Sequence, residues 1–314
     1  LMKKLEEQKA VVEEIKKTPK KTYAPLLYDL TELQREANQR FGYSAKETLN
    51  IMQRLYENHK VLTYPRTDSR YLSKDIVPTI KDRLEACGTG PYRKLAMTAK
   101  KKDLSGKLAF VNDAKVSDHH AIIPTEQFVD LSHMTNEERK IYDLVVRRFL
   151  AVLYPPFEYE QTQVTVKVGG ETFLASGKIV KAQGWRAAYE EEVYSAEDEE
   201  EEEAYESGKS LKGQTLPELE KGQEIKGLVL SLTEGKTKPP AHFNEATLLS
   251  AMENPTAYME SHDKAMAKTL GETGGLGTVA TRADIIEKLF KSFLLEKRGK
   301  DIYLTSKAKQ LLEL

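Results

Sequence analysis

One cysteine, Cys87, stands in 314 residues. It excludes an intramolecular disulfide framework and any zinc cluster built on cysteines, and it fits a reducing, cytoplasmic setting. No stretch approaches the roughly 18 uncharged apolar residues of a membrane span. Nor does a basic-then-apolar leader of the secretory type open the chain. The reading is therefore of a protein outside the membrane.

Net charge is also scarce, at −1, but it is unevenly placed. Glu190 to Glu206 hold eleven carboxylates and no Lys or Arg, and without that tract the remainder carries +10. Such a body suits a polyanionic partner, although the same charge could cover an ordinary solvated surface. Residues 190–207 read as an acidic disordered loop.

The length implies two or three cores. A lysine-rich stretch, Lys16 to Lys21 with Pro19, leads as strand or linker to Tyr23-Ala24-Pro25. Thr31-x-x-Gln34 fits a capping box, and Gly42 can close the helix it starts. Ser44-x-x-Glu47 starts a second helix, and Val61 to Tyr64 follows as a short strand stopped by Pro65. Thr135-x-x-Glu138 opens a helix over Asn136–Leu153. Gln161–Val168 and Glu171–Val180 form a hairpin about Gly169-Gly170, and Gln223–Leu230 adds a strand. Helices over Asn244–Glu253 and Thr281–Phe290 precede a hairpin centred on Lys297 to Lys300. Two helices and a β wing make the winged helix-turn-helix plan, which docks on nucleic acid and also serves as plain scaffold.

Three clusters carry chemistry. Tyr64 sits where a strand breaks at proline, with Arg66 two residues on and Thr67, Asp68, Ser69 and Arg70 behind it. A phenol beside a guanidinium suits phosphoryl transfer, the first attacking phosphorus and the second binding the non-bridging oxygens. A phenol in water ionises near pH 10, so at pH 7 only about one in a thousand is phenolate, a deficit of roughly 4 kcal/mol. A cation or a base must supply the difference. By spacing alone, a half-buried tyrosine beside a surface salt bridge is the favoured reading. The second cluster is Ser117-Asp118-His119-His120, where a phosphate-binding or proton-handling histidine is favoured over a metal ligand. The third is Thr273-Gly274-Gly275-Leu276-Gly277-Thr278-Val279-Ala280-Thr281-Arg282, just before a helix. It offers backbone N–H groups to a phosphate but is neither a Walker loop nor a dinucleotide fingerprint, and a linker capped by Thr281 is the plain alternative.

Taken in order, Leu62-Thr63-Tyr64-Pro65-Arg66-Thr67-Asp68-Ser69-Arg70-Tyr71-Leu72 resembles the active-site signature of the type IA DNA topoisomerases. The Tyr-Pro-Arg form and His119-His120-Ala121-Ile122-Ile123-Pro124-Thr125 resemble the topoisomerase III branch, as do Leu30 to Ala37 and Ala45 to Leu49. The resemblance implies an α+β multidomain fold, with winged-helix (CAP-like) helical domains joined by a β-rich arch as part of a torus. Residues 1–23 would enter the arch, 24–153 carry the nucleophile and 154–238 form the arch. Residues 239–314 would be a second winged-helix DNA-binding region.

The resemblance further implies ATP-independent cleavage and religation of single-stranded DNA through a 5′-phosphotyrosine on Tyr64, with strand passage. Arg66 would stabilise the transition state and His119 serve a phosphate or proton network. Asp68, Arg70, His120, Thr278 and Thr281 would contact DNA. Mg²⁺ would belong to an N-terminal Toprim domain, of which no Asp-x-Asp-x-Glu cluster is seen here, leaving no metal site expected in these residues. The expectation is then a monomeric fragment in the cytoplasm (at the nucleoid if bacterial) that binds single-stranded DNA without relaxing it. Val279 replaces a usual proline, and His242 and Asn244 replace an arginine and a threonine, which leaves the loop geometry and some phosphate contacts open. A non-catalytic winged-helix DNA-binding module is the alternative. A tyrosine recombinase would need a late tyrosine and a His-x-x-Arg, and a relaxase a histidine triad; neither pattern is present.

Overall fold

The computed structural model describes residues 5, 7–189, 216–232, 234–259, 268–271 and 274–313. The expected acidic loop lies outside them. The chain forms two compact units, one from residues 1–24 and 154–238, the other from 25–153 and 239–314. Among the described residues no helix is long and apolar enough to cross a membrane.

The first unit is built on an antiparallel sheet. β1 (Ala10–Thr22) pairs along its length with β2 (Phe157–Val168), which pairs with β3 (Glu171–Ala182), and β4 (Glu224–Ile225) adds a short edge beside Ala10 and Val11. The stretch expected as strand or linker is thus a strand, and Pro19 is tolerated in it. β4 covers β1 only at its start, so Pro19 meets one partner strand and its missing N–H can face the open edge. Gly169 and Gly170, at φ of +55° and +91°, make the tight turn between β2 and β3. The expected Gln223–Leu230 strand shortens to two residues. Leu228 and Leu230 instead pack against Leu5, Ala10 and Val168.

The second unit is mainly helical: α1 (Leu30–Phe41), α2 (Ala45–Glu57), α3 (Ile80–Cys87), α4 (Arg93–Ala99) and α5 (Asn136–Ala151) come from its first segment. α6 (Glu245–Glu253), α7 (Arg282–Lys291), the β5–β6 hairpin (Leu295–Arg298, Asp301–Leu304) and α8 (Ser306–Leu312) come from its second. The expected capping boxes form at Ser44/Glu47 and Thr135/Glu138. The one expected at Thr31/Gln34 does not. Asp29 caps α1 by accepting from the Glu32 N–H at 2.7 Å, and the Gln34 amide donates to the Ala45 carbonyl at 3.0 Å.

Residues 24–153 and 239–314, expected as separate regions, share a core. Leu30, Ala45 and Leu49 pack with Leu249, Met252, Ala283 and Ile286. Each helix pair has one apolar face, and each covers the other's.

Candidate active site

Tyr64 does not lie on a regular strand. Its segment is pinned at separate points, where Leu62 bridges Pro124 and Leu72 bridges Val111; Tyr28 in turn bridges Ile122. Pro65 breaks any ladder, so side chains complete the frame. The Thr63 hydroxyl accepts from the Ile123 N–H at 3.0 Å, the Thr67 hydroxyl donates to the His119 carbonyl at 2.9 Å, and the Ser69 hydroxyl donates to the Lys115 carbonyl at 2.7 Å. The Leu30 N–H donates to the Thr67 carbonyl at 3.0 Å, tying the segment to the start of α1. Thr67 and Ser69 are buried. The hydroxyl residues of the motif are therefore scaffold.

That frame sets the half-buried Tyr64 ring 4.3 Å from the His119 ring, with Tyr56 edge-on at 5.5 Å on another side. Among the described residues nothing hydrogen-bonds the phenol. Tyr64, His119 and His120 line a polar cavity of about 350 Å³ with Thr63, Asp75 and Asp118. His120 Nδ1 donates to the Ala121 carbonyl at 2.7 Å, and burial chiefly lowers its pKa. It is then neutral near pH 7 and offers the cavity Nε2 as an acceptor, not a cationic donor for a phosphate. Asp75, Asp113 and Asp118 reach this cavity, yet among the described residues no three His, Cys, Asp or Glu side chains converge as a metal site needs.

Arg66 does not line the cavity. Its charge is felt by Asp284 on α7, whose carboxyl is held below the usual range first by the Lys46 ammonium bonded at 2.6 Å and then by Arg66. Asp68 is exposed. Arg70 is spent on structure: its guanidinium donates to the Leu27 carbonyl at 3.1 Å and the Leu26 carbonyl at 3.5 Å. That geometry leaves it a poor choice for the expected DNA contact.

Thr278 and Thr281 come together ahead of α7. The Thr278 N–H donates to the Thr281 hydroxyl at 2.8 Å, and their two hydroxyls lie 3.1 Å apart on the surface. Thr281 therefore reaches back to Thr278 and does not cap the α7 N–H groups itself. The preceding loop is held by Arg282, which is 4% exposed. Its guanidinium donates to the carbonyls of Gly274 at 2.6 Å and Leu276 at 3.2 Å, reaches Thr31 Oγ1 at 3.4 Å, and lies 3.5 Å from the Glu253 carboxylate. Glu253 also pairs with Arg35 of α1 at 2.8 Å. At Gly275, φ is +89° and a Cβ would fall 2.1 Å from the Met252 carbonyl oxygen, so only glycine fits.

Arg282 ends the third cluster of the sequence, but its hold on the loop is not legible there; Glu253 and a second buried pair, Arg148 and Glu36, 2.7 Å apart, are missed. Arg148 also donates to the Leu26 carbonyl at 3.0 Å, and its guanidinium sits 4.1 Å from the Tyr28 ring. Tyr28 donates its hydroxyl to Glu36. A signal exists: Arg148 lies seven residues after Ile141 and four after Leu144, on the apolar face of its helix.

A tyrosine and a histidine thus meet at the wall of a polar cavity, framed by buried hydroxyls. A family model described as DNA topoisomerase matches residues 1–314. DNA topoisomerase 3 of Bacillus subtilis (strain 168) is 60% identical over 314 residues, all of this chain and 42% of that protein. The Bacillus licheniformis DNA topoisomerase 3 is 60% identical over 310 residues, 99% of this chain and 41% of that protein. The solved structure of full-length topoisomerase I from Thermotoga maritima has a TM-score of 0.66 at 24% identity, over 98% of this chain and 45% of that one. That likeness shows the fold, a mix of helix and sheet. The chain belongs to the DNA topoisomerase family, type IA, on its topoisomerase III side. It spans about 42% of the length of the curated relatives it matches.

Proposed function

We propose that this chain supplies the nucleophile of an ATP-independent topoisomerase that cuts and reseals single-stranded DNA. The observation that carries the reading is the Tyr64 phenol, unbonded among the described residues and set against His119 at the wall of a polar cavity. In the proposed step Tyr64 Oη attacks a DNA phosphorus. The Oη–P bond forms and the P–O3′ bond breaks, leaving a 5′-phosphotyrosine and a 3′-hydroxyl. The phenolic proton passes to the neutral imidazole of the cavity wall, and the departing O3′ takes its proton from water. Religation reverses both transfers, which is why no ATP is spent.

Arg66 and His119 steady the phosphate oxygens as charge shifts onto them. Thr278 and Thr281 hold the backbone further along the strand. Asp68, exposed and two residues after Arg66, would meet sugar or base edges rather than phosphate. His120 serves as proton acceptor, and Arg70 is left out of the DNA contacts because the Leu26 and Leu27 carbonyls hold it. Among the described residues no three His, Cys, Asp or Glu side chains fit Mg²⁺. That ion would be held by a Toprim domain, together with a catalytic glutamate and lysine. We read α6, α7 and the β5–β6 hairpin as a winged-helix arrangement, and the sheet unit as the arch of a torus. A monomer working in the cytoplasm completes the reading.

The test is a covalent adduct between the protein, supplied with a Toprim domain and magnesium, and a labelled single-stranded oligonucleotide. Tyr64→Phe is expected to abolish it. An adduct that survives the substitution moves the nucleophile elsewhere. Unchanged biological activity of Tyr64→Phe would leave the non-catalytic winged-helix DNA-binding module. Without that domain the chain is expected to bind single-stranded DNA and leave supercoils intact; efficient magnesium-dependent relaxation by this chain alone would sink that claim.

A further inference from the structure

A second concave surface lies in the helical unit, outside the Tyr64 cavity. Gly90, Pro91, Arg93, Lys94, Met97, Thr98 and Lys101 line a groove of about 440 Å³ along α4. Three of these seven are cations, and neither a carboxylate nor an aromatic ring is among them. Arg93, Lys94 and Lys101 are exposed and, among the described residues, make no ion pair. Neighbouring Lys100 does, with Glu85 at 2.7 Å. From Arg93 to Lys107 the chain carries six cations and one carboxylate, Asp103. Met97 lies 62% exposed on the groove wall.

Unpaired cations repel one another, so a cluster kept without carboxylates raises the free energy of the isolated protein and is relieved by a polyanion. The absent rings narrow the choice of polyanion. A single strand is held by stacking its bases on aromatic side chains as well as by cations. A duplex turns its bases inward and presents phosphates at regular spacing, which isolated Lys and Arg side chains can neutralise without stacking. The geometry points to a docking surface for the backbone of duplex DNA on α4, separate from the single-strand chemistry at Tyr64. Its recognition is sequence-independent, and Met97 and Pro91 supply apolar cover for the sugar edge.

Counterion release provides the test. The intact chain is titrated into a fluorescein-labelled duplex and, separately, a labelled oligo-dT, across a range of salt concentrations. The triple substitution Arg93→Gln, Lys94→Gln, Lys101→Gln is expected to weaken duplex binding at least about tenfold. It should also reduce the slope of log affinity against log salt by about 2 to 3, near one for each phosphate no longer neutralised. The control removes the same charge from exposed positions of β1, with Lys16→Gln, Lys17→Gln and Lys20→Gln. Equal losses in the two triples would reduce the effect to net charge and overturn the site. A loss confined to oligo-dT would overturn the duplex assignment, as would an unchanged slope. All six side chains are exposed, so folding is checked by an unchanged melting temperature. The adduct assay on Tyr64 reads a different event, and either proposal can fail while the other stands.

Discussion

The segment carrying Tyr64 and the loop carrying Thr278 belong to one helical unit but are held by different means. The Tyr64 segment is sewn to residues 119–125 by backbone bridges and short hydroxyl bonds, with Leu62, Leu72, Ile122 and Ile123 buried beneath it. The glycine loop buries little apolar surface of its own, and Leu276 is half exposed. Its shape depends on Arg282, which gathers loop carbonyls and anchors them to Glu253, and on Gly275, which lets the chain pass close to α6. The Tyr64 segment is held by many weak bonds, the glycine loop by a buried charge. A single substitution should therefore loosen one contact of the first and the whole loop of the second.

The largest expected effect tests whether buried charge also underlies the better-packed side. Arg148→Met would strand Glu36, and its cost is put at about 3 kcal/mol in urea unfolding. That is the low end for a broken buried pair, because Arg40 still reaches Glu36 at 2.7 Å. A loss below roughly 1 kcal/mol would show that Tyr28 and Arg40 suffice and weaken the comparison. Next comes Arg282→Gln, expected to cost about 2 kcal/mol and to speed proteolysis around Gly274 to Gly277, since it leaves the loop carbonyls without their cation and Glu253 with Arg35. Cleavage spread evenly over the unit would contradict a local role for Arg282.

Asp29 lies at the junction, where it caps α1 two residues before Thr31. Burial lifts its carboxyl from 3.8 to about 6. The folded state thus holds a proton that the unfolded chain releases. This contribution is fully present below about pH 4 and is lost as pH rises through about 6. Asp29→Asn keeps a capping oxygen and removes the buried charge. It should raise the melting temperature at pH 8, by on the order of 1–2 kcal/mol of stability, and do little at pH 4. Equal shifts at both values would assign the effect to capping alone. The smallest effect is expected from Thr278→Val, which removes a surface hydroxyl. Single-strand affinity should fall by about 1 kcal/mol with the melting temperature unchanged, as a contact to phosphate requires.

Much of this is legible in one dimension. Capping at Ser44 and Thr135, the turn at Gly169-Gly170 and the turn at Gly42 follow from local chemistry, and each forms as expected. Expectations fail where a distant residue decides the outcome. Thr31/Gln34 has the letters of a capping box, but Gln34 finds the Ala45 carbonyl and Asp29 takes the cap. Val61 to Tyr64 has strand-like residues, but its partner offers bridges at separate points instead of a continuous edge. An extended spacing sets Arg66 on the side of Tyr64, and only folding brings its charge to bear on Asp284 as well, more than two hundred residues away.

Residue identity and order alone settle the chemical inventory: a tyrosine before a proline, a histidine pair, a glycine loop, and one succession of motifs that places the chain in its family. These rest on short spacings that local sterics translate directly into turns and caps. Folding alone brings Tyr64 against His119, turns Arg70 into scaffold, and joins the two ends of the helical unit in one core. Those outcomes depend on which distant groups can satisfy a buried polar atom or cover an apolar face, and the chain must fold before any of them are neighbours.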